Sequence, residues 1–343
     1  MNDPEAHTAS EPTTGCPGWP VCVLGMDRSG TSMVASMVHR WGAYGGDETS
    51  LRAGNEGNPR GYFENRKMQA FLVERLGAEF WVEGYEQRLR ELAEQPEVRA
   101  DALELMDEMS RGGDVWFWKE PLLSVTLPFW EPLWADRVAY LVLVRDPWKC
   151  ARSWQKLSLP PAVRDRVDLQ AAGLLRWQLY MLSILKIVEN GPWSLFIQYE
   201  DVLASPGEQA RRLAGFLDGW SRMETTPQER LRGMTEIVEP TLDRTGSSIE
   251  FIDRDQATAD QKYLWDVLRQ KARDCDVSVD LDRSAPWPGW REYLGNLREF
   301  WLLYERSACL LQSRWAARAE KLERLLKAPV QLWPAWRRSS RRA

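Results

Sequence analysis

The sequence predicts an α/β protein: a three-layer sandwich with a central parallel sheet, a P-loop-like strand-loop-helix near its start and a long C-terminal helix. Three observations predict it. The apolar run Val21, Val23, Leu24 passes through a turn with two glycines and continues as a helix. Val138 to Val144, VAYLVLV, is apolar throughout, as in a strand buried on both faces. Strand-like and helix-like stretches then alternate, which is the order of a parallel sheet covered by helices.

The elements follow in turn. Residues 1–18 are rich in Pro, Thr, Ser, Gly and acid, with little to bury, and are expected to form a disordered tail. The fold begins near Trp19 with the first strand, its loop, and a helix opened by Thr31 and Ser32. Gly42 to Gly61 is a polar, glycine-rich connection, followed by helical stretches from Asn65 to Gly77 and from Gln95 to Arg111. Val115 to Trp118 is a short strand ending at Lys119, and Val138 to Val144 is the strongest strand. Asp168 to Glu189 forms a long helix. Trp193 to Gln198 is another interior strand, running into Tyr199-Glu200-Asp201, and Pro206 to Leu217 is again helical. Several short helices are expected between Gly219 and Pro288. Residues 19–290 make up the main domain.

Beyond it, Leu294, Leu297, Trp301, Tyr304, Ala308, Leu311, Trp315, Leu322 and Leu325 recur in steps of three and four, interrupted by Arg318. Residues 291–327 therefore form a long amphipathic helix, whose stripe packs on its own domain or forms a seam between two chains in a homodimer. In the last residues, 328–343, two tryptophans stand beside four arginines, a composition that fits a solvated basic end or contact with a membrane surface.

Composition excludes several classes of function. The chain has 343 residues, 44% hydrophobic and 28% charged, enough for a sizeable core. Its 45 basic and 50 acidic residues leave a net charge of −5, so bulk electrostatics point to no nucleic-acid partner and anion binding must be local. Five scattered cysteines without a CxxC argue against a disulfide framework or a zinc site, and no cluster of metal ligands stands out. No apolar run approaches the roughly 20 residues that span a bilayer, and the polar, acidic start lacks the pattern of a secretion signal, so the cytoplasm is the expected compartment.

Two segments carry chemistry. In VLGMDRSGTS, Gly25 and Gly30 let the backbone approach an anion, and Thr31 and Ser32 begin a helix whose open N–H groups point at it. The glycine spacing is that of a P-loop, but Thr31 stands where an ATP-binding loop carries lysine. After the strongest strand, RDPWKCARS places Arg145 eight residues before Ser153. With a helix starting near Pro147, Ser153 faces back toward the strand end, where the planar Arg145 fork suits a phosphate. Taken alone, Arg-Asp-Pro after a strand is a common loop; with the glycine loop at another strand end it makes a two-anion pocket.

These segments resemble the sulfotransferases that use 3′-phosphoadenosine 5′-phosphosulfate (PAPS). The family's [K/R]-x-G-[T/S]-[T/S] loop, which holds the 5′-phosphosulfate, is matched by Arg28, Ser29, Gly30, Thr31 and Ser32. Its arginine and serine for the 3′-phosphate are matched by Arg145 and Ser153, and LFIQYEDVLASPGEQARRLAGFL is similar to its later strand and helix, with Tyr199 near the adenine. The likeness runs from Pro20 to Leu217, and GMDRSGTS, NPRGYFE and WKEP look like a bacterial branch. It implies transfer of a sulfuryl group from PAPS to a hydroxyl or amine of a small-molecule, glycolipid or carbohydrate acceptor, with no metal.

The chain departs from the family at two places. Cytosolic animal members carry a histidine base two residues after the lysine of their second motif; here Lys119 is followed by Glu120 and Pro121. The two histidines, His7 and His39, lie elsewhere. Where members place tryptophan directly after the loop, this chain has Met33. Arg28 and Lys119 are the candidates for stabilising charge on the leaving phosphate. Glu64, in NPRGYFE, is the first candidate for the base and Glu120 the second; Glu64 equally fits a helix-start carboxylate or an ion-pair partner of Arg60 or Arg66. Trp41, Trp81, Trp116, Trp118 and Trp130 stack on an acceptor ring or belong to the core. A small-molecule kinase, with Asp146 on magnesium, would need lysine at Thr31; a non-catalytic nucleotide-binding scaffold acting through the C-terminal helix is the remaining alternative.

Overall fold

Among the residues that the computed structural model describes (18–54, 58, 61–77, 84–134, 137–155, 169–189, 193–222, 224–239 and 257–273), four strands form one parallel sheet. They are β1 (Trp19–Leu24), β2 (Val115–Lys119), β3 (Ala139–Val144) and β4 (Ser194–Gln198), in the order β2-β1-β3-β4. The expected N-terminal tail to residue 17, the long helix 291–327 and the basic end 328–343 lie outside the described residues.

The strand order decides where a ligand can sit. The chain leaves β1 toward one edge to make β2, then crosses back to place β3 and β4 on the other side. Loops leaving β1 and β3 therefore diverge and open a crevice at the carboxyl ends of those strands. Val23 pairs with both Lys119 and Leu141, and Leu24 with Val142, so β3 runs two residues past β1 and lifts Arg145 beside the glycine loop.

In chain order the helices are α1 (Thr31–Trp41), α2 (Arg66–Phe71, continuing as a π-helical turn over Leu72–Leu76), α3 (Tyr85–Glu94), α4 (Pro96–Arg111), α5 (Leu123–Trp134), α6 (Pro147–Gln155), α7 (Leu169–Val188), α8 (Tyr199–Ala204), α9 (Pro206–Ser221), α10 (Gln228–Glu236) and α11 (Ala259–Lys271). Alternate strand residues divide between two cores. Val21, Val23, Phe117, Leu141 and Ile197 pack on α1, α8, α9 and α10. Cys22, Leu24, Trp116, Trp118 and Val142 pack on α2 to α7 and α11. The strands are buried on both faces, which is why their sequences run apolar without alternation.

Three local features bear on the sequence reading. Helix α5, which the sequence reading does not include, carries Pro128 and Pro132 inside it, residues that ordinarily interrupt a helix. Nearly all of its side chains are buried, and that packing outweighs the lost backbone bonds. Strand β4 ends at Gln198, where the sequence places its end, and α8 begins at Tyr199. Helix α7, over Gln170–Val188, is long and apolar enough to cross a membrane, contrary to the reading that no such run exists, but most of it is buried inside the protein. It is the central helix of the larger core.

The candidate tryptophans among the described residues are core. Trp41, Trp116, Trp118 and Trp130 are at most 2% exposed, and Trp118 packs edge-on against Trp116 and Trp130, which stacks on Trp134 at 5.7 Å. This block fixes β2 and hence Lys119 at its end, but offers no ring to an acceptor. Trp81 lies outside the described residues.

Candidate active site

The glycine loop is pinned from several sides. The Gly25 N–H donates to Ser124 Oγ at 3.0 Å, and Ser29 closes the turn by donating from its N–H and its hydroxyl to the Met26 carbonyl. Gly30 precedes α1 at φ 95°, and a Cβ there would stand 2.3 Å from the Tyr199 ring. Only glycine meets both conditions. Thr31, buried, and Ser32, whose hydroxyl donates to the Tyr62 carbonyl at 3.4 Å, then open the helix, leaving its first N–H groups without intrahelical partners at the crevice.

Arg28 joins this loop to the second predicted segment. Its backbone is left-handed, φ 72°, unusual for a side chain of that size. Three contacts hold it: Arg145 Nη1 donates to the Arg28 carbonyl at 2.7 Å, Cys150 Sγ donates to the same oxygen at 3.9 Å, and Arg28 Nε donates to Ser153 Oγ at 3.0 Å. The Arg145 guanidinium lies 4.1 Å above the Tyr199 ring, and that ring covers Gly30. Arg28, Ser29, Gly30, Thr31, Arg145, Ser153 and Tyr199, more than a hundred residues apart at the extremes, thus meet at the β1/β3 crevice. Asp146, offered as a magnesium carboxylate, instead caps α6: its Oδ1 accepts from the N–H groups of Trp148 and Lys149. Among the described residues, no group of three or more His, Cys, Asp or Glu is placed to hold a metal.

A second cluster forms at the end of β2. Lys119 Nζ donates to Glu64 Oε1 at 2.6 Å, with both side chains at most 5% exposed, and Arg52 Nη1 donates to Glu64 Oε2 at 2.9 Å from a half-exposed position. The ion-pair partners of Glu64 are therefore Lys119 and Arg52 rather than Arg66; Arg60 lies outside the described residues. Nor does Glu64 cap α2. That role belongs to Asn65, whose side chain accepts from the N–H groups of Lys67 and Met68. Phe63, left-handed at φ 55°, precedes Glu64, whose carbonyl accepts from the Arg52 N–H at 2.8 Å. The Arg52 guanidinium stacks 4.3 Å from the Tyr62 ring.

Glu120 sits behind this pair, accepting from Gln69 Nε2 at 3.3 Å and from the Leu122 N–H at 3.4 Å. Burial, reinforced by the Glu64 charge, pushes its carboxyl up to about 7 from an ordinary 4.5. Between these values the folded protein holds a proton that the unfolded chain has released, so Glu120 lowers stability as pH rises from 4.5 to 7. Glu120→Gln is expected to flatten that slope and to add on the order of 1–3 kcal/mol above pH 7. Urea unfolding at pH 5 and pH 8 measures it, and an unchanged difference between the two would refute it.

Sequence reasoning missed Arg52, Ser124 and the pair of Asp27 with Arg176. Arg52 lies in the polar connection, and Ser124 and Arg176 lie within helices, so neither a strand end nor a glycine marks them. His39 is exposed near the far end of α1, away from the loop.

A family model described as "Sulfotransferase family" matches residues 20–221. The structure is similar to a crystal structure of the sulfotransferase STF9 from Mycobacterium avium, at 14% identity and a TM-score of 0.47, over 77% of this chain and 79% of that one. It is also similar to the sulfotransferase domain of the Synechococcus PCC 7002 olefin synthase, at 18% identity and a TM-score of 0.40, over 85% and 97% of the two chains. No curated protein matches the sequence significantly.

Proposed function

Since the chain belongs to the sulfotransferase family, we propose that it moves a sulfuryl group from PAPS to a hydroxyl or amine of a small-molecule, glycolipid or carbohydrate acceptor. One observation carries the choice of donor: Arg28 bonds at once to Arg145 and to Ser153, so a loop fit for one phosphate group and a pair fit for another are a single structure. A donor with phosphate groups at both the 3′ and 5′ positions would use both halves; ATP has no 3′-phosphate for the second.

In this reading the acceptor oxygen or nitrogen attacks sulfur in line. A new bond to sulfur forms, the bond from sulfur to the 5′-phosphate oxygen breaks, and its electron pair stays on that oxygen as adenosine 3′,5′-bisphosphate leaves. Arg28, Lys119 and the first N–H groups of α1 meet the charge that grows there. A carboxylate takes the acceptor's proton, and Glu64 is the first candidate because its direct bond to Lys119 keeps base and cation adjacent. The raised proton affinity of Glu120 supports it as the second.

Arg145→Ala is expected to weaken binding of adenosine 3′,5′-bisphosphate by roughly a hundredfold and Ser153→Ala by about tenfold, the range for lost hydrogen bonds to charged groups. Calorimetric titration measures both, and unchanged affinity in both variants would sink the donor assignment. For the acceptor, incubation with isotopically labelled PAPS and a cell extract would reveal its class through the labelled product.

A further inference from the structure

We infer that Arg176 is a positioning residue for the donor loop: through Asp27 it draws the loop's own carboxylate out of the anion cradle, so that the Arg28 charge is left for the donor. The inference rests on the reading that this loop takes the phosphosulfate of PAPS. It starts from an electrostatic problem in the sequence GMDRSGTS, where a carboxylate stands directly beside the arginine of an anion-binding loop. An aspartate facing the cradle would neutralise Arg28 and repel an incoming phosphate.

The structure resolves the problem with a helix 149 residues away in sequence. Arg176 Nε, from α7, donates to Asp27 Oδ1 at 2.8 Å. The Arg176 side chain is 7% exposed and that of Asp27 23%, so the pair is little screened by water. Arg176 is aimed by Tyr180, one turn on, whose hydroxyl accepts from Nη2 at 2.8 Å and is itself fully buried. Asp27 is turned toward α7, and Arg28 reaches Ser153 on the neighbouring α6.

The same helix also references the other half of the site. Gly173 of α7 lies against Ala151 of α6 so closely that a Cβ would come within 2.8 Å of the Ala151 backbone. Helix α6 carries Ser153. One rigid helix therefore holds the loop by an ion pair at Arg176 and the Ser153 helix by close packing at Gly173, less than one turn apart.

The test compares Arg176→Gln, Arg176→Lys, Asp27→Asn and the double variant Asp27→Asn/Arg176→Gln. It reads affinity for adenosine 3′,5′-bisphosphate by calorimetry and amide exchange over residues 26–30 in the ligand-free protein. Arg176→Gln is expected to bind about tenfold more weakly and to exchange at least tenfold faster over the loop, about 1.4 kcal/mol per factor of ten. Arg176→Lys, which keeps the charge, should stay within threefold of the parent in affinity. Removing the carboxylate as well should recover at least threefold of what Arg176→Gln loses, which a purely structural role would not do.

Parental affinity in Arg176→Gln, or a double variant as weak as Arg176→Gln, would overturn the inference. If Arg176→Gln does not fold, Asp27→Asn decides: binding at least as tight as the parent's supports the inference, and a tenfold loss overturns it. Failure of the parent itself to bind the bisphosphate would sink the donor reading, and loop exchange would still decide the anchor: tenfold faster in Arg176→Gln supports it, unchanged overturns it.

Discussion

Lys119→Met is expected to stop sulfuryl transfer while adenosine 3′,5′-bisphosphate still binds. Methionine keeps the length and the apolar stem of the side chain, so the Trp116, Trp118 and Trp130 block that fixes β2 is untouched. What goes is the cation assigned to the leaving phosphate, and the rate should fall by roughly a hundredfold to a thousandfold, the range for removing one preorganised electrostatic stabiliser. Single-turnover measurement isolates that step. A rate within tenfold of the parent would remove Lys119 from the chemistry.

The same substitution should destabilise the fold. Breaking a buried ion pair by removing one partner costs about 3–5 kcal/mol, and the remaining Arg52 contact reduces this to roughly 2 kcal/mol. Adding Glu64→Gln to Lys119→Met removes the stranded charge. Stability should then recover, which would trace the loss in Lys119→Met to the stranded Glu64 charge.

Gly30→Ala should produce the second large effect, through a single methyl group. At φ 95° any side chain is strained, at a cost of roughly 1–2 kcal/mol. The new Cβ would also fall within 2.3 to 2.6 Å of two atoms of the Tyr199 ring. Tyr199 cannot withdraw without disturbing Arg145, stacked on it at 4.1 Å. Affinity for the bisphosphate should drop at least tenfold and kcat/KM roughly a hundredfold, as expected when reacting groups are displaced by about an ångström. Steady-state kinetics and calorimetry check this. A variant with parental affinity would mean that the loop tolerates a side chain there and that Tyr199 does not brace Arg145.

How much of this was legible in the sequence depended on range. The strands and the glycine loop could be read because burial on both faces and a conformational demand at Gly25 and Gly30 leave marks on adjacent residues. Arg145 and Ser153 could be read because a strand end and a helix turn fix their spacing. The partners of Glu64 could not. Arg52 reaches it through a short antiparallel contact within a polar connection, and Lys119 comes from a strand 55 positions on. Helix α5 was hidden for a different reason: its two prolines oppose the helix locally, and only packing that involves distant residues compensates. Of the tryptophans that suggest a stacking platform, Trp116, Trp118 and Trp130 pack one face of the sheet and Trp41 the other.

The contacts that hold the proposed donor pocket span 117 residues from Arg145 to Arg28, 125 from Arg28 to Ser153 and 149 from Arg176 to Asp27. The tryptophan block, by contrast, lies within a short stretch from Trp116 to Trp134. Closing long loops is slow and is rewarded only after the intervening chain is in place. During folding, the aromatic block can therefore consolidate while the proposed pocket is still unformed. A newly made chain would bury the Trp116–Trp134 block before the proposed pocket was assembled, so on that reading ligand capture would register completion of the whole sheet and not of any one part.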